Sequence, residues 1–189
     1  MSLNALRSFL PWKKRDPYED FYLNAAVADP RNLIVNRLRE APEGGVFAVK
    51  AETHTPAVMA RHVKELGRFF GADLVRIAAT NKLAENDRLV GQPFVIVCGF
   101  RAEHDPRDAP GIGGHAAALK GAFATFQIGA IIREYGFHAT RAGSVDAERV
   151  AAAAGAGTVD ASGRLSVPRF GTHVHIAEPI FTDLPVEPD

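Results

Sequence analysis

Two histidines near the end of the chain have a spacing that could serve chemistry. His173 and His175 are one residue apart in the run G-T-H-V-H-I-A, and alternate side chains of a β-strand point to the same face. Two imidazoles on one face could form half of a metal site or line a ligand pocket. The nearest carboxylate, Glu178, falls on the other face unless the strand bulges at Pro179. We therefore predict no metal site and keep both histidines as candidate ligand contacts.

Two glycine-rich stretches offer main-chain N–H groups to a ligand. Gly111-Ile-Gly-Gly-His115 lies just before a long apolar run, where free N–H groups and the positive end of a helix dipole favour an anion. The run from Gly155-Ala-Gly157 to Gly163 presents several N–H groups in a row, which suits a phosphate or an amide-rich ligand. Either stretch could equally be a set of turns, because glycine permits tight backbone conformations.

Charged side chains in the last third of the chain are further candidates. Four arginines could pair with an anion, although such arginines are more often solvated surface residues: Arg141, Arg149, Arg164 and Arg169. Asp146 could act as a general acid, but a carboxylate in the first turn of a predicted helix is already favoured by the helix dipole. We therefore assign no catalytic residue.

Composition narrows the class of protein. The 189 residues are 47% hydrophobic and 23% charged, which suits one globular domain. Basic and acidic residues balance at 22 each, so net charge indicates neither nucleic acid nor an anionic membrane as partner. The single cysteine, Cys98, lies in an apolar run and predicts a buried, inert thiol; this chain alone could hold no disulfide framework and no iron–sulfur cluster. No signal peptide or membrane span is indicated, so we expect a cytoplasmic protein.

The helices that must position these residues have clear signals. One begins at Thr55-Pro56, because threonine is a good N-cap and proline is tolerated at the first helical position, and it ends at Gly71. A shorter helix is predicted over 145–154, with Ser144 as its N-cap.

The longest predicted helix runs from His115 to Tyr135. It is apolar apart from one stripe formed by Lys120, Gln127 and Glu134. Such a helix is central and buried, or lies at the interface of a homodimer.

Strands are predicted around one continuous apolar run, P-F-V-I-V-C-G-F, which is typical of a central strand buried on both faces. Shorter strands are predicted in V-F-A-V-K-A-E, A-D-L-V-R-I-A-A, F-H-A-T-R-A and residues 172–177. Helices and strands mix without strict βαβ alternation, which predicts a single α+β domain. Residues 1–45 are rich in aromatic residues and predict an N-terminal arm packed on the body or on a partner; residues 46–189 form the domain.

The order of these pieces resembles a known family. The runs M-A-R-H-V-K-E-L-G-R-F-F-G-A-D-L-V-R-I-A, Y-G-F-H-A and A-A-A-G-A-G…P-R-F-G-T-H-V-H-I-A-E-P-I-F-T-D-L-P are similar to the corrinoid-binding domain of reductive dehalogenases and epoxyqueuosine reductases. The resemblance covers Thr55 to Pro185. It implies a nitroreductase-like α+β fold, with a mixed sheet flanked by helices.

The chain also departs from that family. Cysteine-rich ferredoxin motifs follow D-L-P in the family and are absent from this sequence, so we expect no iron–sulfur cluster of its own. By ungapped alignment, Asp160 and Ala161 stand where the family has a glycine and an Arg or Lys. Arg141 stands where the queuosine enzymes have their proton-donating aspartate.

The resemblance implies a corrinoid (cobalamin)-binding protein with a cofactor site at Gly155, Gly157, Ser162, Gly171, His173 and His175. The anion site predicted before the long helix adds Gly113, Gly114 and His115 as candidate cofactor contacts. If it is an oxidoreductase of the reductive dehalogenase type, a separate protein must supply electrons. Two alternatives stay open. One is a small flavin-dependent oxidoreductase or a dimeric flavin binder, with FMN as the cofactor. The other is a non-catalytic interaction or regulatory module that has lost its cofactor.

Overall fold

The computed structural model describes Pro17 and residues 30–189 except 90 and 103–111; for residues 30–33 and 112–115 it describes the backbone. The described helices are α1 (Pro30–Glu40), α2 (Pro56–Phe69), α3 (Ile112–Glu134) and α4 (Ala147–Ala153). The strands are β1 (Leu74–Ala79), β2 (Phe94–Arg101), β3 (Ala139–Arg141), β4 (Thr158–Val159), β5 (Leu165–Ser166), β6 (Val174–Ile176) and β7 (Ile180–Thr182). Short 3₁₀ turns lie at Thr80–Lys82 and Glu85–Asp87.

Strand β2 is the centre of a five-stranded sheet with the order β1-β2-β7-β3. On one side its residues 94–99 pair with the whole of β1. On the other side its first half pairs with β7 and its second half with β6. All these pairings are antiparallel, so the described part of the sheet lacks the mixed character that we expected. The α+β class and the single domain are confirmed.

The sheet buries both of its faces, as the apolar run of β2 predicts. Helices α2 and α3 pack on one face, against Ile96, Cys98 and Phe100. Helix α4 and the β4–β5 hairpin cover the other face, which includes Val95 and Val97. All five side chains are fully buried. Cys98 is buried, as predicted, and burial raises the pKa of its thiol to about 12, which disfavours the thiolate.

Helix α3 crosses the sheet at close range because Gly121 has no side chain. A Cβ atom there would lie 2.9 Å from Ala177 Cβ and 3.2 Å from His175 Cδ2. On its other side α3 packs against α1, where Val35 meets Ala118 and Ala122. The helix is therefore central, as predicted. The homodimer, and the division between an arm over 1–45 and a domain over 46–189, stay predictions. Among the described helices, none is long and apolar enough to cross a membrane.

The prediction of a strand in V-F-A-V-K-A-E is wrong. Residues 46–52 run as an irregular segment along the end of α3, where the N–H groups of Phe47 and Ala51 donate to the carbonyls of Arg133 and Tyr135 at 2.9 Å. The last carbonyls of a helix lack partners within the helix. The N–H groups of Phe47 and Ala51 therefore bond to these carbonyls and not to a neighbouring strand.

The predicted N-cap of α4 is also wrong. Asp146, and not Ser144, caps this helix: its Oδ1 atom accepts hydrogen bonds from the N–H groups of Glu148 and Arg149 at 3.1 and 3.2 Å. This contact gives Asp146 a structural role that requires no acid–base chemistry.

Replacing Asp146 with alanine should therefore destabilise the protein by about 1 kcal/mol, the usual effect of losing a cap. Ser144→Ala is the matched control and should leave stability unchanged. Thermal unfolding followed by circular dichroism measures both variants. Equal losses, or a larger loss for Ser144→Ala, would contradict this assignment.

Candidate functional site

A cleft of about 700 Å³ opens at one end of the sheet. Four separate segments of the chain line it: the approach to β1, the end of β2, the third turn of α3 and the loop before β6. The lining residues are Asp73, Arg101, Ala102, Lys120, Arg169, Phe170 and His173. Its volume lies within the range of small-molecule pockets.

Strand pairing brings the first two walls of the cleft together. Because β2 is antiparallel to both neighbours, its end lies beside the start of β1 and the start of β6. The main-chain N–H of Arg101 donates to Asp73 Oδ2 at 2.7 Å, and that of Ala102 donates to the His173 carbonyl at 3.0 Å. The main chain at the floor of the cleft is therefore fixed on both sides of β2.

The cleft is rich in positive charge. Arg101, Lys120 and Arg169 are all exposed, and in the described part of the chain no ion pair joins them to an acidic side chain. The Arg169 guanidinium lies 5.5 Å from the centre of the Phe170 ring, a cation–π contact that steadies it. The cleft can thus attract a negatively charged ligand.

The predicted histidine pair has two different environments. His173 lines the cleft, and Gly171 lies in the turn just before it, with φ of +58°. His175 packs under α3 beside Gly121. Gly113, Gly114 and His115 fall in the first turn of α3, and the side chain of His115 lies outside the described residues.

The predicted glycines after α4 meet the chain itself. Gly155, with φ of +75°, ends α4, where its N–H donates to the Ala152 carbonyl. Gly157 allows the backbone of β5 to approach: a Cβ atom at this position would lie 2.1 Å from the Ser166 carbonyl oxygen. The structure therefore explains the presence of glycine at both positions without a ligand.

The turn between β4 and β5 already contains an anion, the carboxylate of Asp160. Its Oδ1 atom accepts hydrogen bonds from the Ser162 N–H at 2.8 Å, the Ser162 hydroxyl at 2.6 Å and the Arg164 N–H at 3.0 Å. Of these donors, the Ser162 N–H belongs to the stretch 155–163 predicted to offer N–H groups to a phosphate. Ligand contact by Ser162 stays a prediction, but its donors are engaged in this structure.

Arg141 is not a solvated residue, and the interpretation of it as a surface arginine is wrong. Its side chain is 1% exposed, and its Nε donates to Glu43 Oε1 at 2.9 Å. Its two terminal nitrogens donate to the carbonyls of Leu38 and Ala41. Arg133, 5% exposed, donates to the other oxygen of Glu43 at 2.8 Å. These contacts fasten the segment after α1 to the body.

Glu178 lies at the edge of the same network. Its carboxylate is 3.7 Å from Arg39 and 3.9 Å from Arg141. The pKa of the Glu178 carboxyl is raised overall, because burial raises it more than the two arginines lower it. The nearby Glu43 carboxylate also raises it. Its position beside two cations gives it a structural partner.

The other candidate arginines also have distinct positions. Arg149 is exposed and pairs with Asp146 at 3.3 Å. Arg164 donates to the Thr172 hydroxyl at 3.2 Å. Of the four predicted anion partners, Arg169 is the one that lines the cleft.

The F-T-D-L-P motif has a structural role. The Thr182 hydroxyl donates to the His138 carbonyl at 2.6 Å, and Asp183 accepts the His138 N–H at 2.6 Å. The motif thereby fixes the approach to β3. Across the described residues, no group of three or more His, Cys, Asp or Glu side chains could hold a metal ion.

Sequence reasoning missed Asp73, Arg101, Lys120 and Phe170 as members of the cleft. Two signals were present: Arg101 ends the buried strand and Lys120 belongs to the one polar stripe of the long helix. Neither signal shows which segments meet in space.

No family model and no curated protein matches this chain. Solved structures do match. The catabolic reductive dehalogenase NpRdhA is 24% identical with a TM-score of 0.62, over 84% of this chain and 24% of that protein. A structure of a reductive dehalogenase described in terms of B12-dependent dehalogenation is 22% identical with a TM-score of 0.61, over the same shares. An epoxyqueuosine reductase is 13% identical with a TM-score of 0.53, over 70% of this chain and 47% of that protein.

These similarities show the fold that the sequence motifs predict. The chain shares it with reductive dehalogenases and, less closely, with epoxyqueuosine reductase. It spans about a quarter of the dehalogenases and just under half of the reductase.

Proposed function

We propose that the chain is a corrinoid-binding domain of the reductive dehalogenase type, with its ligand at the cleft formed by Asp73, Arg101, Lys120, Arg169, Phe170 and His173. The observation that carries the proposal is the fold shared with a dehalogenase described as B12-dependent. The cleft supports it as a place where polar and aromatic side chains converge.

The residues of the cleft fit part of a corrinoid. A corrinoid combines an amide-rich ring with a nucleotide tail that carries a phosphodiester. Phe170 and Ala102 offer an apolar wall, and the basic side chains offer donors to the phosphodiester. The corrinoid is larger than the cleft, so the cleft would hold its tail. The β4–β5 turn does not fit a second phosphate contact, because Asp160 engages its donors.

In this proposal the chain holds and orients the cofactor. A corrinoid supplies redox chemistry at cobalt when it is bound. Cys98 is the single cysteine of this sequence and is buried, so these 189 residues offer no set of cluster ligands, and electrons would reach the cofactor from outside them. The electron donor and the substrate remain predictions.

Titration of the purified chain with hydroxocobalamin should give a saturable change in the visible absorption spectrum, because side chains around the cofactor alter its surroundings. Heat-unfolded chain serves as the control and should give no such change. The absence of saturable binding at high micromolar cofactor would refute the proposal. The same titration with FMN tests the flavin alternative.

A cofactor-free interaction module is the second candidate function. It is favoured by Arg141 and Asp160, which stand where the resemblance places catalytic or ligand-contacting groups and instead make intramolecular contacts. This candidate predicts failure of both titrations together with a specific protein partner. Saturable cofactor binding would contradict it.

A further inference from the structure

We infer that Arg101, Lys120 and Arg169 form a binding subsite for the phosphate group of a small molecule. The inference deepens the proposed function and rests on it in taking the cleft as the ligand site. It is independent of which phosphate compound is bound. The same chemistry is offered by the phosphodiester of a corrinoid tail and by the phosphate monoester of FMN.

The first support is a contrast with the other places where basic side chains converge. Arg133 and Arg141 meet around the carboxylate of Glu43, and Lys64 and Arg76 meet around that of Asp189. Like charges repel one another, so an acid at the centre makes such a group stable.

At the cleft, no such acid stands at the centre among the described residues. Among the described residues that line the cleft, Asp73 is the acidic one, and its Oδ2 atom accepts a hydrogen bond from the main-chain N–H of Arg101. No ion pair joins the Asp73 carboxylate to the side chain of Arg101, Lys120 or Arg169 within the described part of the chain. An external anion therefore suits the centre of this group.

The second support is the arrangement of the donors. Arg101 extends from a main chain held by hydrogen bonds on both sides, and Arg169 is steadied by the Phe170 ring. Guanidinium groups bind phosphate oxygens through paired hydrogen bonds, and lysine adds a point charge. A phosphate monoester carries a charge near −2 and three terminal oxygens. A phosphodiester carries one negative charge and two terminal oxygens, so three cations favour a monoester, although each of them can also donate to a phosphodiester.

Isothermal titration calorimetry with inorganic pyrophosphate tests the subsite. We expect the unaltered chain to bind pyrophosphate at millimolar concentrations or below. Lys120→Glu and Arg169→Glu should each raise the Kd about tenfold or more, since each removes a charge-assisted contact and adds a repulsive charge. Arg61→Glu is the matched control: it makes the same charge change at an exposed residue of α2 outside the cleft, and it should change the Kd less than about twofold.

Unchanged midpoints of thermal unfolding verify that the variants are folded. If Lys120→Glu does not fold, Lys120→Gln provides a milder change. The inference is overturned if the unaltered chain does not bind pyrophosphate, or if the cleft variants bind it as the control does. Two pairs of ligands, each with and without a phosphate group, show which phosphate compound is preferred. FMN should bind more tightly than riboflavin if a monoester is preferred. Hydroxocobalamin should bind more tightly than cobinamide, which lacks the nucleotide tail, if the corrinoid phosphodiester is preferred.

The binding experiments distinguish an error in the phosphate subsite from an error in the proposed corrinoid function. Pyrophosphate binding that depends on Lys120, with no binding of hydroxocobalamin, supports the subsite and removes the corrinoid. Hydroxocobalamin binding that is unaffected by Lys120→Glu, with no pyrophosphate binding, supports the corrinoid and removes the subsite.

Discussion

Replacing Arg141 with alanine should lower the free energy of unfolding by about 3 kcal/mol or more, the effect expected when one partner of a buried ion pair is removed. The Arg141 side chain is 1% exposed and donates to Glu43 and to two carbonyls. Its loss leaves those carbonyls without their donors and leaves Glu43 with the Arg133 side chain and the main-chain N–H of residue 141. The cation–π contact with Phe126, at 5.0 Å, is lost as well. Urea unfolding followed by circular dichroism measures the change.

Arg149→Ala is the matched control for this prediction. Arg149 is 72% exposed and pairs with Asp146 at 3.3 Å, and exposed pairs of this kind contribute little. Arg149→Ala should therefore unfold at nearly the same urea concentration as the unaltered chain. If Arg141→Ala behaved in the same way, the buried network would contribute nothing, and Arg141 would be free for another role.

Replacing Gly157 with alanine should destabilise the protein by about 3 kcal/mol, the upper part of the usual range for an added buried carbon. The new Cβ would lie 2.1 Å from the Ser166 carbonyl oxygen and 3.1 Å from Val167 Cα. Both neighbours are backbone atoms of the β4–β5 hairpin and its exit, so they cannot rotate away as a side chain does. The hairpin would have to separate from the end of α4. Thermal unfolding measures the loss.

Gly45→Ala is the control, because a Cβ at Gly45 meets no heavy atom within 4 Å. It should leave the midpoint of unfolding almost unchanged. The two explanations for Gly157 also differ in their effect on ligand binding. A Gly157→Ala variant that keeps its stability but loses cofactor binding would show that this glycine serves a ligand and not the hairpin.

Together these two predictions concern residues that the family resemblance singled out. Arg141 and Gly157 both make intramolecular contacts here, and so does Asp160. The cationic cleft lies at the end of the sheet and shares His173 with the predicted site. We therefore propose the cleft, and not the glycine-rich turn, as the place to test for a ligand.

Local sequence patterns predicted most of the regular elements. Thr55-Pro56 and Gly71 delimit α2, and the apolar run 94–100 forms the central strand. The alternation around His173 and His175 predicts a strand, and β6 forms over Val174–Ile176, with His175 inside it and His173 just before it. These patterns are informative because capping, helical period and strand alternation depend on neighbours in sequence.

Two local predictions failed because the hydrogen-bond partners of these segments depend on the positions of the helices. The segment 46–52 has the composition of a strand, yet the carbonyls at the end of α3 provide its hydrogen bonds. Ser144 and Asp146 are both good caps by residue type, and the start of the helix at Ala147 selects Asp146.

The sequence by itself determined the α+β class, the central buried strand, the buried cysteine and the likeness to the dehalogenase fold. Only the tertiary structure decided which charged residues meet. Glu43 lies 90 residues from Arg133 and 98 from Arg141, and Arg101, Lys120 and Arg169 come from three different elements. Charges act through space, so their partners depend on how the strands and helices pack and not on their order in the chain.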